Sequence, residues 1–177
     1  MKITLCGKIG SGKSVIAKTL AKEFNLKHYS TGDVMRSIAK ENGLTIEEFD
    51  KVTPPDIDYK VDNHTKRIGE DEDDFIFDSK MAWHFIPDAI KIFLDVSYEE
   101  GARRIKKDQR INEAKVESVQ ELAERNKQRW ETHRQRMIGL YDADMDDQTN
   151  YDVYIDTTNL SIEEVIDKVK QAIKEKV

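Results

Sequence analysis

The first stretch of the sequence with recognisable chemistry is GKIGSGKS, at residues 7–14. Its spacing, Gly7-x-x-x-x-Gly12-Lys13-Ser14, matches the phosphate-binding loop. Glycines let successive backbone N–H groups turn inward around an anion, and a helix that follows adds its partly positive N-terminus. In such a loop the lysine reaches the β- and γ-phosphates, and the serine hydroxyl ligates Mg²⁺. The apolar segment before the run and the helical segment after it are the context that this loop requires.

We therefore predict ATP-binding residues at Gly7, Lys8, Ile9, Gly10, Ser11, Gly12, Lys13, Ser14 and Val15. Lys13 is also the first candidate catalytic residue, because its charge meets the transferred phosphate. Ser14 is also a candidate metal ligand. The alternative for this segment is a glycine-rich turn with a purely structural role.

Two further polar segments follow predicted strands, where ligands of parallel sheets bind. Ser30, Thr31, Asp33 and Arg36 follow the second strand. An arginine there can hold a second phosphate with two parallel hydrogen bonds. The alternative is that Thr31 or Asp33 simply caps the next helix.

Asp78-Ser79-Lys80 follows the third predicted strand. An acidic residue that closes a buried strand beside a phosphate loop can hold Mg²⁺ directly or through water. Asp78 is therefore the second candidate metal ligand and Lys80 a candidate substrate-binding residue. A simple turn at the end of the strand is the alternative for Asp78.

A row of arginines marks a long predicted helix. Arg125, Arg129 and Arg136 are four and seven residues apart, so they fall on one line along one helix face. Such a row is either a solvated face or a mobile flap that neutralises charge on a transferring phosphoryl group. We predict Arg129 and Arg136 as catalytic, and Arg125, with Arg110 from the preceding loop, as substrate-binding. Two phosphate sites together favour transfer between two bound molecules over hydrolysis.

The elements that must position these residues alternate between strand and helix. The predicted strands are 2–6, 27–30, 75–78, 90–96 and 151–156, and the predicted helices are 13–24, 33–42, a short one from 45, 57–68, 102–108, 118–137 and one from 161. Alternation of this kind predicts a parallel sheet covered by helices on both faces. We expect an α/β fold and one domain over 1–177.

Composition narrows the class of protein. The chain has 177 residues, 38% hydrophobic and 36% charged, with a net charge of −6. It contains one cysteine, four histidines without metal-ligand spacing and no apolar run of the ~18 residues that span a bilayer. The first strand leaves no room for a signal peptide, so we expect a cytoplasmic protein. The net charge argues against bulk binding of nucleic acid, although the charge is unevenly distributed and residues 101–140 hold 11 basic and 6 acidic residues. We expect no membrane partner, and a monomer.

The sequence also resembles a known family. Ser30-Thr31-Gly32-Asp33-Val34-Met35-Arg36 looks like the monophosphate-binding signature of nucleoside monophosphate kinases. The segments 39–43, 47–49, 93–96, 102–105, 129–136, 141–147 and 151–161 look most like cytidylate kinases of the short, archaeal type. The resemblance covers nearly the whole chain.

This resemblance implies a three-layer P-loop fold with a five-stranded parallel sheet of order 2-3-1-4-5. It also implies a helical monophosphate-binding region at about 31–69 and a lid at about 106–136. Lys13 would bridge donor and transferred phosphate, Arg36 would hold the acceptor phosphate, and Arg129 and Arg136 would close from the lid.

By the same resemblance, the reaction would be transfer of the γ-phosphoryl of ATP to CMP or dCMP with Mg²⁺. The chain departs from the short cytidylate kinases at Asp78-Ser79-Lys80, where they tend to carry Glu-Gly-Arg. A lysine does not reproduce the fork of an arginine. Two alternatives therefore stay open: a kinase for another acceptor, such as AMP, UMP or another small molecule, and a nucleotide-binding protein without transfer activity.

Overall fold

The computed structural model describes residues 1–52, 54–108 and 118–176. Within them, one parallel sheet is formed by β1 (Lys2–Gly7), β2 (Lys27–Ser30), β3 (Phe75–Asp78), β4 (Ile90–Asp95) and β5 (Val153–Asp156). The strand order is β2-β3-β1-β4-β5, and each neighbouring pair is parallel. The predicted α/β class and the sheet order 2-3-1-4-5 are confirmed.

Helices cover both faces of this sheet. In the same ranges they are α1 (Lys13–Glu23), α2 (Thr31–Glu41), α3 (Ile46–Val52), α4 (Pro55–Asp71), α5 (Ala82–Phe85), α6 (Tyr98–Asp108), α7 (Val119–Tyr141) and α8 (Ile162–Lys176). Side chains alternate along each strand. Ile3 and Leu5 therefore pack on α1 and α8, while Cys6 and Phe93 pack on the opposite face with Trp130 of α7.

Several predicted helix bounds were wrong by a few residues. Helix α4 begins at Pro55 and not at 57, because a proline preset to helical φ is favoured in the first turn. Helix α6 begins at Tyr98 and not at 102, directly after Ser97, whose Oγ accepts the N–H of Glu100 at 3.2 Å. Helix α7 continues to Tyr141 and ends where Asp142 turns left-handed, at φ 53°.

Two short elements and one strand end were also missed. Helix α5 and the 3₁₀ turn Gln148–Asn150 are too short for any periodicity to reveal them. Strand β5 begins at Val153 and not at 151. None of these differences moves a candidate site residue from one end of the sheet to the other.

The strand register brings the candidate residues to one edge of the sheet. Leu5 is aligned with Asp78, and Asp78 with Ser30, across three neighbouring strands. Since these strands are parallel, the phosphate loop after β1, the segment after β2 and the segment after β3 all leave the same edge. Among the residues that the structure describes, no helix is long and apolar enough to cross a membrane.

Candidate active site

The phosphate loop lies between β1 and α1, where the sequence predicts it. Gly12 precedes α1 with φ 84° and offers no side-chain cap, so the first amides of the helix are left for a ligand. The Ser11 N–H donates to the carbonyl of Lys8 at 3.1 Å and closes the turn. A loop of this form is an anion-binding concavity.

Gly10 shows why the loop needs a glycine at that place. Its φ is 88°, and a Cβ there would lie 2.4 Å from the Cα of Gly101 at the start of α6. There is as little space on the other side of this contact, because a Cβ on Gly101 would lie 2.5 Å from the carbonyl oxygen of Ile9. The loop is thus packed directly on the backbone of α6.

A cavity of about 1070 Å³, its open mouth included, lies over this edge of the sheet. It is lined by the phosphate loop from Gly7 to Ser14, by Ser30, Thr31 and Arg36, by residues 78–81 and by one side of α7. Val15 lies outside this lining and is 47% exposed on α1. The two predicted phosphate sites therefore share one cavity.

Lys13 and Asp78 form an ion pair in the lining of the cavity. Asp78 is only 1% exposed, so the lysine compensates a buried carboxylate. The second oxygen of Asp78, the hydroxyl of Ser11 and the hydroxyl of Thr31 are buried without hydrogen-bond partners among the described residues. Buried polar atoms without partners are uncommon in proteins, and three beside one cavity indicate that a polar ligand completes them.

Arg36 lines the cavity one turn into α2. Its guanidinium donates to Asp33 at 2.6 Å, and the N–H of Asp33 donates to the Oγ of Ser30 at 3.2 Å. Ser30 is therefore the residue that caps α2, not Thr31 or Asp33. Asp33 orients the arginine in this state, and its predicted direct contact with substrate stays a prediction.

The three candidate arginines of α7 differ in the pockets that they line. Arg129 and Arg136 line the main cavity and also a second pocket between α3 and α7. Arg136 lies 3.3 Å from Asp58 of α4. Arg125 lines the second pocket but not the main cavity, and it is paired with Glu47 at 3.0 Å. Arg110 lies outside the described residues. The predicted substrate contacts of Arg125 and Arg110 stay predictions.

Lys80 also reaches the main cavity. Its ammonium group lies 5.9 Å from the ring centroid of Trp130, within cation–π range. Trp130 is fully buried and its indole N–H donates to Asp146 at 3.0 Å, so the lysine rests on a rigid platform.

Sequence reasoning missed an acidic wall of the cavity. Asp58 and Asp62 lie one turn apart on α4, and the hydroxyl of Tyr141 donates to Asp62 at 2.6 Å. Burial raises the pKa of Asp62 to about 6, and nearby Asp58 adds to this, although the Tyr141 hydrogen bond opposes it. The i, i+4 spacing was the only sequence signal, and in a polar helix it does not show which face is buried.

Both the sequence and the fold of this chain are similar to those of known proteins. Residues 2–159 match the model of the cytidylate kinase-like family. A cytidylate kinase of Thermococcus kodakarensis is 34% identical over 97% of this chain and 86% of its own length. An S-adenosylmethionine-dependent nucleotide dehydratase of Lacinutrix mariniflava is 33% identical over 95% of this chain, but the match spans 35% of that protein.

Among solved structures, a shikimate kinase of Bacteroides thetaiotaomicron superposes with a TM-score of 0.63. That comparison covers 98% of both chains at 16% identity, so it bears on the fold alone. The family match covers most of the chain. It includes the phosphate loop and all of the residues that line the shared cavity. The chain therefore belongs to the cytidylate kinase-like family of nucleotide kinases.

Proposed function

We propose that this protein is a nucleoside monophosphate kinase that transfers the γ-phosphoryl group of ATP to CMP or dCMP. The observation that carries the proposal is that the phosphate loop, Arg36 of α2 and Arg129 and Arg136 of α7 all line one cavity. A donor triphosphate in the loop and an acceptor phosphate at Arg36 would meet within that cavity. Family membership and the cytidylate kinase relatives support the same reaction.

The side chains supply positioning and charge. Lys13 would leave Asp78 and bind the transferred phosphate, while Arg36 would hold the acceptor phosphate with its fork. The attacking oxygen belongs to an ionised phosphate, so the reaction needs no general base, and orientation with charge neutralisation suffices. We propose residues 31–69 as the monophosphate-binding region and residues 106–136 as the lid.

Mg²⁺ fits the residues beside the phosphate loop. Ser14 and Asp78 offer oxygen atoms, which are the ligands that Mg²⁺ takes in proteins, and the second oxygen of Asp78 is buried without a hydrogen-bond partner among the described residues. When bound, Mg²⁺ neutralises charge on the β- and γ-phosphates. In the proposed site Ser14 and Asp78 would hold the ion, directly or through water.

Asp62 supports an acceptor base that carries an amino group. A carboxylate accepts a hydrogen bond from the exocyclic amine of cytosine, whereas the carbonyl of uracil at the same place would face it oxygen to oxygen. Tyr141 orients Asp62 at the cavity wall. This argument favours CMP over UMP. It does not distinguish CMP from AMP, because adenine also carries an exocyclic amine, and that choice depends on how well each base fits the cavity.

The proposal is tested with a panel of nucleoside monophosphates, each mixed with ATP and Mg²⁺ and scored for ADP release. We expect CMP and dCMP to give the highest kcat/KM. If only another acceptor is phosphorylated, the protein is a kinase as proposed, but its acceptor is not CMP or dCMP. ATP binding without ADP release on any acceptor would support the nucleotide-binding alternative. A monomeric state and a cytoplasmic location stay predictions.

Asp62→Asn should raise the KM for CMP roughly 10-fold or more, the scale of losing one good base contact, and should relax the preference over UMP. In the wild type the KM for CMP should rise as pH falls through about 6, where Asp62 gains a proton. The variant should lose that part of the pH profile, which separates it from titration of the nucleotide phosphate. An unchanged CMP/UMP ratio in the variant would contradict the assignment.

Arg36→Ala should raise the KM of the acceptor far more than the KM of ATP, because the arginine holds only the acceptor phosphate in the proposed site. Arg67→Ala is a suitable control, since Arg67 is an exposed arginine of α4 outside the lining of the cavity. Steady-state kinetics with each substrate varied in turn measure both values. Equal effects on the two KM values would assign Arg36 a structural role.

A further inference from the structure

His133 is a half-buried residue of α7 to which sequence analysis assigned no role. It lies four residues after Arg129 and three before Arg136, on the same side of the helix. It lines the main cavity and also the second pocket, a space of about 560 Å³ with its mouth included. His133 therefore stands at the junction of the two.

The hydrogen bond between His133 and Arg136 defines the protonation state of the imidazole. Arg136 Nη2 lies 3.0 Å from His133 Nδ1. A guanidinium group only donates hydrogen bonds, so Nδ1 must accept and carries no proton. The neutral ring then has its proton on Nε2, which is buried and has no hydrogen-bond partner among the described residues. A donor N–H at the cavity wall is thus left for a ligand.

The charges around His133 agree with this neutral form. Burial, and then the cations of Lys80, Arg136 and Arg129, lower its pKa well below the ordinary value. The other charged groups among the described lining residues of the two pockets are Lys8 and the Lys13–Asp78 pair at the phosphate loop and β3, Arg36 on α2, Asp58 and Asp62 on α4, Glu47 and Lys51 on α3, and Arg125 on α7. In this state cations dominate the immediate surroundings of the ring.

We propose that His133 is a phosphate-binding residue of the loaded site, which takes up a proton when nucleotide binds and releases Arg136 to the phosphates. Nucleotide phosphates would bring several negative charges beside Lys80, Arg129 and Arg136, and nearby negative charge favours the imidazolium. The proton comes from solvent and ends on Nδ1, so the hydrogen bond from Arg136 to the imidazole is lost. Arg136 also exchanges its ion pair with Asp58 for the phosphates. Both side chains then donate to phosphate oxygens as charged donors.

The inference rests on the proposed function only for the identity of the phosphates. Its test is isothermal titration calorimetry near pH 7 in two buffers of different ionisation enthalpy, which measures proton uptake. One titration uses ATP with Mg²⁺, and the other uses ADP with Mg²⁺ in the presence of CMP, a pair that cannot react. Neither titration depends on turnover, so a failed kinase assay does not decide whether His133 takes up a proton.

His133→Gln keeps an amide donor but cannot titrate. We expect the wild type to take up roughly 0.3–0.8 proton more per nucleotide than this variant, as for a histidine whose pKa moves across neutral pH. Nucleotide phosphate itself titrates at about 6, so only the difference in proton uptake between the two proteins counts. His64→Gln is the matched control, because His64 is an exposed histidine of α4 outside both pockets.

Equal proton uptake by the wild type and the His133→Gln variant in both titrations would overturn the proposal, even if CMP is turned over normally. Nitrogen-15 spectra of the wild-type histidines give an independent reading that needs no stable variant. Among the four ring systems, one should change from the Nε2–H tautomer to the imidazolium when both nucleotides are added. Four rings that keep their tautomers would also overturn it.

Discussion

Lys13→Ala should lower kcat by roughly 10³-fold, the upper part of the range for losing one preorganised charge at the reacting group. The structure adds a second expected effect. Lys13 compensates the carboxylate of Asp78, which is 1% exposed, and breaking a buried pair on one side is destabilising because a charge is left uncompensated. We therefore expect a loss of about 3 kcal/mol in the free energy of unfolding as well.

The two effects of Lys13→Ala are separated by the double variant Lys13→Ala/Asp78→Asn. An amide in place of the carboxylate removes the uncompensated charge, so the free energy of unfolding should recover in the double variant. The effect on kcat is taken from the single variant, because Asp78 is itself a proposed metal ligand. Urea denaturation and steady-state kinetics measure the two quantities. A single variant with kcat within about 3-fold of the wild type would contradict the assignment of Lys13 to the transferred phosphate.

Arg129→Ala should lower kcat by roughly 10²-fold or more, with little change in ATP affinity measured without acceptor. Arg129 lies on α7 and lines the same cavity as the phosphate loop. If its contact with the phosphates forms only when the proposed lid closes, it acts near the transition state and not when ATP first docks. Interactions of that kind appear in kcat more than in ground-state binding.

Lys127→Ala is the control for Arg129, since Lys127 is an exposed cation of the same helix, outside the lining of both pockets. It should be nearly silent. Equal kinetics for the two variants would mean that the arginine row is a solvated face. Arg125→Ala is a third variant to compare with these two. Because Arg125 forms an ion pair with Glu47, we expect its loss to weaken the contact between α3 and α7.

Residues 7–14 illustrate what could be predicted from the sequence. A phosphate loop depends on consecutive backbone conformations, and these are set by glycines and by the strand and helix on either side. The alternation of strands and helices was readable for the same reason, since hydrophobic periodicity is local. The strand order, in contrast, rested on the family resemblance and not on the pattern of residues.

The sequence alone therefore determined the phosphate loop, the parallel α/β class and the edge of the sheet where ligands should bind. Only the tertiary structure decided which distant side chains meet there. Lys13 and Asp78 are 65 residues apart, and Tyr141 and Asp62 are 79 apart. Likewise, periodicity placed Arg125, Arg129 and Arg136 on one line of the helix. The packing of α3 against α7 decided that Arg125 forms an ion pair with Glu47. Such partners follow from how helices pack, which no local spacing encodes.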